Sequence, residues 1–143
     1  MNGRLLTTDD EIRAVLTGAR RIAVVGLSPR PARPSHQVAR YLQEAGYHIV
    51  PVHPEPGRIL GETVYPSLAA AHEAIGPFDL VDVFRRPSAL PELVIEAGSL
   101  RIPLLWFQLG VTHAAAEASA RELGIDLVVD RCTLVEHRRL LAA

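Results

Sequence analysis

The sequence predicts an α/β fold in three layers, with a mainly parallel sheet of about five to six strands between helices. Three observations predict it. Short runs rich in Val, Ile and Leu recur at "RIAVVG" (21–26), "HIVPV" (48–52), "LVDVF" (80–84), "LLWFQ" (104–108) and "DLVVD" (126–130). Each run is nearly continuous in apolar character, as strands buried on both faces are. Amphipathic helical patterns separate the runs, and this alternation calls for right-handed crossovers between parallel strands. "ETVYP" (62–66) reads as a weaker, shorter strand.

The helices follow in order. "TDDEIRAVLTGA" opens with a capping box, Thr8 and Glu11, and presents Ile12, Val15, Leu16 and Ala19 on one face. "SHQVARYLQEAG" has Ser35 as N-cap, a face of Val38, Tyr41, Leu42 and Ala45, and Gly46 just past its end. "SLAAAHEAIG" ends at Gly76 in the same way. "SALPELVIEAG" and "THAAAEASARELG" follow, capped by Ser88 and Thr112. A last short helix begins at Thr133, with Glu136 completing a second capping box.

Composition bounds the rest. A chain of 143 residues, 48% hydrophobic and 22% charged, can bury one core, so residues 1–143 are read as one domain. The formal net charge is −1, which gives no bulk attraction to nucleic acid or to a membrane surface. No apolar run reaches the ~18 residues that span a bilayer. The N-terminus lacks an apolar core followed by a small-residue cleavage site. The single Cys132 has no internal disulfide partner. A cytoplasmic protein is expected. All 15 basic residues are arginine, which excludes a Walker-type phosphate loop and a Schiff-base lysine. A phosphate site here must use arginine, histidine, hydroxyls and backbone N–H groups.

Ligands of open α/β sheets bind beyond the carboxyl ends of the strands, and there the sequence is most informative. The first run ends in "GLSPRPARPS". Gly26 permits a tight turn, Ser28 and Ser35 offer hydroxyls, and Arg30 and Arg33 offer planar forks at a helix N-terminus. The usual G-x-G-x-x-G is absent, so a proline-stiffened surface loop with solvated arginines is the alternative. The second run ends in "PVHPEPGR". A dinucleotide site normally has an acidic residue there for ribose hydroxyls; this chain has His53, with Glu55 beyond a proline. His53 and Arg58 suit a phosphate better than a diol, or His53 simply occupies a polar turn. The run at 80–84 ends in Arg85 and Arg86, of which only one should face the crevice, unless both are solvated. Gln108 ends an apolar strand and could hydrogen-bond a ligand amide or satisfy a loop carbonyl. Cys132 precedes a helix start, where a thiolate is favoured, and His137 lies five residues on. A nucleophile built from that pair is one reading; a small buried cysteine is the other. No metal-ligand spacing is present, and no metal is expected.

In order, "IAVVGLSP", "RPSHQVARYLQEAGYHIVPVHP", "ILGETVYPSL", "DLVDVFRRP", "WFQLGV" and "DRC" followed by "EH" resemble the small stand-alone CoA-binding proteins. Those are similar to the N-terminal, Rossmann-type CoA-binding domain of the succinyl-CoA synthetase alpha subunit. The resemblance runs from about Arg21 to Leu140, and the family more often carries asparagine at the position of His53. It implies a Rossmann-like fold and a coenzyme A ligand. By resemblance Gly26, Leu27, Ser28, Arg33 and Ser35 take the diphosphate. Val52, His53 and Pro54 border the adenosine, and Arg58 meets its 3′-phosphate. Phe84, Arg85, Arg86 and Pro87 line the crevice, and Gln108 lies along the pantetheine arm.

In the synthetase the phosphorylated histidine belongs to a second domain, which this chain ends before, so ligase activity is not expected of it. The leading expectation is a non-catalytic carrier, sensor or detached module that binds CoA or acyl-CoA. A thiol or acyl-transfer enzyme using Cys132 and His137, and an NAD(P)-dependent oxidoreductase, are the alternatives. The partner is a small molecule, with no nucleic acid and no membrane; a homodimer is left open.

Overall fold

The computed structural model describes residues 2–142. Helix α1 (Asp9–Gly18) leads into β1 (Arg21–Val25), α2 (Pro34–Glu44) and β2 (His48–Val52). A small ribbon, β3 (Arg58–Ile59) and β4 (Glu62–Thr63), precedes α3 (Leu68–Ile75) and β5 (Leu80–Val83). A 3₁₀ turn (Pro87–Ala89), α4 (Leu90–Ser99), β6 (Leu104–Phe107), α5 (Ala114–Glu122), β7 (Asp126–Val129) and α6 (Thr133–Leu140) complete the chain. The main sheet has five strands, all parallel, in the order β2-β1-β5-β6-β7. This is the Rossmann-like α/β architecture expected.

Strand periodicity assigns the two faces. Ile22, Val24, Leu80, Leu104, Trp106 and Val128 pack in one core with Ile12 and Leu16 of α1, Val38 and Leu42 of α2, and the apolar side of α6. Val25, Val81, Val83, Leu105, Phe107 and Leu127 pack in the other core with α3, α4 and α5. Successive residues point to opposite faces, so strands covered on both sides must be apolar throughout. Trp106 is fully buried, and its indole N–H is satisfied by the Arg131 carbonyl at 2.7 Å. Both sheet edges are covered. Tyr65 bridges Val52 beside β2, and Leu5 bridges Leu127 beside β7.

The run at 62–66 does not become a sixth strand of this sheet. Its first two residues pair antiparallel with Arg58–Ile59. The two-residue turn between them, Leu60 and Gly61, has φ of 54° and 79°, the geometry that closes a tight hairpin. Tyr65 alone reaches the main sheet.

The capping box of Thr8 and Glu11 forms as expected. Other caps differ. Arg33, not Ser35, is the N-cap of α2, because Pro34 is preset for the first helical position and moves the start two residues earlier. Ser88 lies in the 3₁₀ turn, and Ala89 caps α4. His113, not Thr112, caps α5, its Nδ1 accepting the Ala116 N–H at 3.1 Å. Thr133 is already inside α6, with Cys132 at the cap. Glu136 completes no box there; it pairs with Arg131 and Arg139. Gly76 is extended, with φ −68° and ψ 178°, and does not end α3 in the left-handed way that Gly46 (φ 107°) ends α2.

The strand order sets where a ligand can sit. The chain leaves β1 to lay β2 on one flank, then returns to lay β5 on the other. The connections from β1 and into β5 therefore diverge, and a crevice opens beyond their carboxyl ends.

Candidate functional site

A cleft of about 610 Å³ occupies that crevice. Gly26 and Ser28 after β1, His53 and Glu55 after β2, Phe84 after β5, Gln108 after β6 and Cys132 after β7 all line it. Gly26 is fixed by two constraints. Its φ is 86°, and a Cβ there would lie 2.1 Å from the Phe84 carbonyl oxygen. The glycine lets β1 and β5 close beneath the cleft as much as it opens the loop above.

The loop that follows holds itself together. The Ser35 hydroxyl accepts the Ser28 N–H at 3.0 Å, the Ser28 hydroxyl accepts the Arg30 N–H at 3.1 Å, and the His36 ring N–H meets the Ser28 carbonyl at 2.9 Å. The Arg33 N–H goes to the Arg30 carbonyl at 3.0 Å. Pro29, Pro31 and Pro34 have no N–H to give. The loop is thus poor in free backbone donors, unlike a glycine-rich phosphate cradle. Its anion-binding capacity rests on Arg30 and Arg33, exposed at the rim of the cleft and in no ion pair among the described residues.

The floor is different. Gln108, 4% exposed, donates from Nε2 to Asp82 Oδ1 at 2.6 Å and to Thr133 Oγ1 at 2.9 Å. Thr133 Oγ1 donates in turn to Asp82 Oδ2 at 3.0 Å. Asp82 is fully buried in the middle of β5, and burial pushes its carboxyl up to about 7 against the pull of the Gln108 and Thr133 hydrogen bonds. Asp82 and Thr133 were not singled out from the sequence. The signal was an acid inside the apolar run "LVDVF", on the same alternation as Leu80, where a charge needs an answering donor.

The cleft thus sets charged side chains, Arg30, Arg33 and Glu55, beside the amide of Gln108, the thiol of Cys132 and the apolar Val38 and Phe84. Residues 20–138 match the CoA binding domain family. The chain belongs to that family. Among the family's relatives of this chain is the uncharacterised protein YneT of Bacillus subtilis (strain 168), 41% identical over 127 residues, covering 89% of this chain and 92% of YneT. A solved structure from Thermus thermophilus is 43% identical, with a TM-score of 0.88 over 94% of this chain and 100% of that one. A hypothetical protein from Pyrococcus horikoshii OT3 is 36% identical, with a TM-score of 0.88 over 99% of each chain.

The positions singled out from the sequence fall into three groups in this family member. Gly26, Ser28, Arg33, Ser35, His53, Phe84 and Gln108 come together on the main cleft. Val52, His53, Pro54 and Arg85 line a second cleft of about 430 Å³ on the α3–α4 side, which meets the first at His53. Leu27, Arg58, Arg86 and Pro87 line neither. The Leu27 side chain is buried in the core, and the Arg58 guanidinium is hydrogen-bonded to the Gly61 carbonyl of its own hairpin. Arg85 and Arg86 separate, as adjacent residues must, with Arg85 facing the second cleft.

Two expectations change. Glu55 lines the main cleft, so an acidic side chain does stand beyond the second strand. Its N–H is held by His53 Nδ1 at 3.1 Å, which leaves the proton of a neutral His53 on Nε2. His137 does not join Cys132. It lies between Tyr41 and Tyr47, with Nδ1 2.8 Å from the Tyr41 hydroxyl, in the α2–α6 contact, and burial there holds its pKa down. Five residues along a helix is well over one turn, so the two side chains leave α6 in different directions.

Proposed function

We propose that the protein binds coenzyme A or an acyl-CoA and serves as a carrier or sensor of it. The observation that carries this reading is the two-ended cleft at the β1–β5 crevice. Arg30 and Arg33 at the exposed rim suit phosphates. Val38, Phe84, Gln108 and Cys132 at the buried end suit an amide-bearing arm that ends in a thiol or thioester. Family membership supports the same ligand. A non-catalytic role is favoured because His137, the base that Cys132 would need, is turned to Tyr41.

Calorimetric titration with CoA, ADP, NADH and NADPH tests the reading. CoA should bind most tightly, ADP weakly, and the dinucleotides little. The presence of Glu55 on the cleft favours a second reading, a dinucleotide whose ribose hydroxyls meet that carboxylate. Preference for NADH or NADPH over CoA would replace the first reading with the second.

A further inference from the structure

Asp82, Gln108 and Thr133 come from the middle of β5, the residue after β6 and the first turn of α6. Strand periodicity puts Asp82 and Gln108 on the same face of the sheet, where Thr133 of α6 meets them. Every hydrogen-bonding group of the trio but one is committed inside it. Both amide hydrogens of Gln108 are used, one on Asp82 and one on Thr133, and the Thr133 hydroxyl hydrogen is on the other Asp82 oxygen. What remains is the Gln108 carbonyl oxygen, on a residue that lines the cleft.

The two ends of a glutamine amide are nearly the same shape, so packing does not choose between them. Chemistry does. An ionised carboxylate only accepts, and a reversed amide would set the Gln108 oxygen against Asp82 Oδ1 at hydrogen-bond distance, with no proton between. We propose that Asp82 and Thr133 are positioning residues that lock Gln108 with its carbonyl oxygen toward the cleft, making the buried end selective for a ligand N–H donor. This rests on the coenzyme A reading, in which that donor is an amide N–H of the pantetheine arm. The nucleotide end of the ligand, over the arginine rim, is outside the reach of the trio.

The test compares CoA with adenosine 3′,5′-bisphosphate, which keeps the nucleotide and lacks the arm. Titrations are run at about pH 8, where Asp82 is mostly ionised. Thr133→Val is nearly isosteric and removes only the hydroxyl. It should weaken CoA binding by about three- to tenfold, the worth of one hydrogen bond, and leave bisphosphate affinity unchanged. Thr133→Ser should restore CoA affinity. In a Gln108→Ala background Thr133→Val should have no further effect, because the residue it positions is gone. Should Thr133→Val not fold, Asp82→Asn gives the same readout, since its N–H lets the Gln108 amide reverse. Equal losses for both ligands, unchanged CoA affinity, or losses that multiply in the double variant would each overturn the positioning role while leaving the CoA reading intact. Failure of the unaltered protein to bind CoA would overturn both.

Discussion

Replacing Asp82 with asparagine gives the sharpest test of the energetics under the cleft. Asp82 is fully buried with no basic side chain among its hydrogen-bond partners; its side-chain partners are Gln108 and Thr133. Burial raises its carboxyl from 3.8 to about 7. A raised acid binds its proton more tightly folded than unfolded. Between those two values the folded state therefore carries more protons, and stability falls as pH rises. The contribution is fully present below the unfolded value and is lost as pH passes through the folded one. At about 1.4 kcal/mol per pH unit, the loss amounts to about 4 kcal/mol. Other acids act in the opposite sense. Backbone hydrogen bonds from Thr8 and Thr7 hold Glu11 near 2. Burial pushes Glu136 up, but hydrogen bonds from Arg139 and Arg131 outweigh it and hold it low. Both groups lose stability as pH falls, and both are common to the unaltered protein and the variant. The difference between them isolates Asp82. Urea unfolding of each across the window from about pH 4.5 to 8.5 should show the stability of Asp82→Asn rising relative to the unaltered protein by about 3 kcal/mol, with a plateau above about 7. A constant offset between the two, from altered hydrogen bonding, does not matter; the slope does. A difference that stays flat would show that the network keeps Asp82 ionised at no cost, and the desolvation argument would fall.

Further outcomes follow from the same geometry. Arg33→Ala should weaken CoA binding by about 1.5–3 kcal/mol, the worth of a charge-assisted phosphate contact, and unchanged affinity in a calorimetric titration would remove Arg33 from the site. Dephospho-CoA should bind more weakly than CoA if His53 meets the 3′-phosphate, and His53→Ala should abolish the difference; equal affinities would exclude the contact. Gly26→Ala should cost about 2–4 kcal/mol in urea unfolding, since the new Cβ meets the Phe84 carbonyl at a left-handed backbone position. An unchanged midpoint would mean that β1 and β5 can part there freely.

How much of this was legible in the sequence depended on the range of the interaction. The five strands, the helices between them and the capping box of Thr8 and Glu11 are written in neighbouring residues. Apolar runs and i, i+3 spacing act within a few residues, so no tertiary knowledge is needed to read them. The resemblance carried the family. Capping by Ser35, Ser88 and Thr112 was misjudged because a proline or a competing histidine one residue away changed the helix start. The short strand within 62–66 is legible, but its pairing with Arg58–Ile59 is not, because the turn between them uses Leu60 with a positive φ, which the sequence does not advertise.

The sequence by itself determined that the chain would fold as an alternating α/β sheet, and that any phosphate it holds must be met by arginine, histidine, hydroxyls or backbone N–H groups, since it has no lysine. Only the tertiary structure decided which polar groups share a site. Asp82 reaches Gln108 across 26 residues of chain and Thr133 across 51, while Cys132 and His137, five apart, do not meet. Chain separation says nothing about distance once strands are reordered in a sheet. The β2-β1-β5-β6-β7 order brings β5 beside β6 and sets the crevice between β1 and β5, and that order comes from packing both faces of the sheet at once.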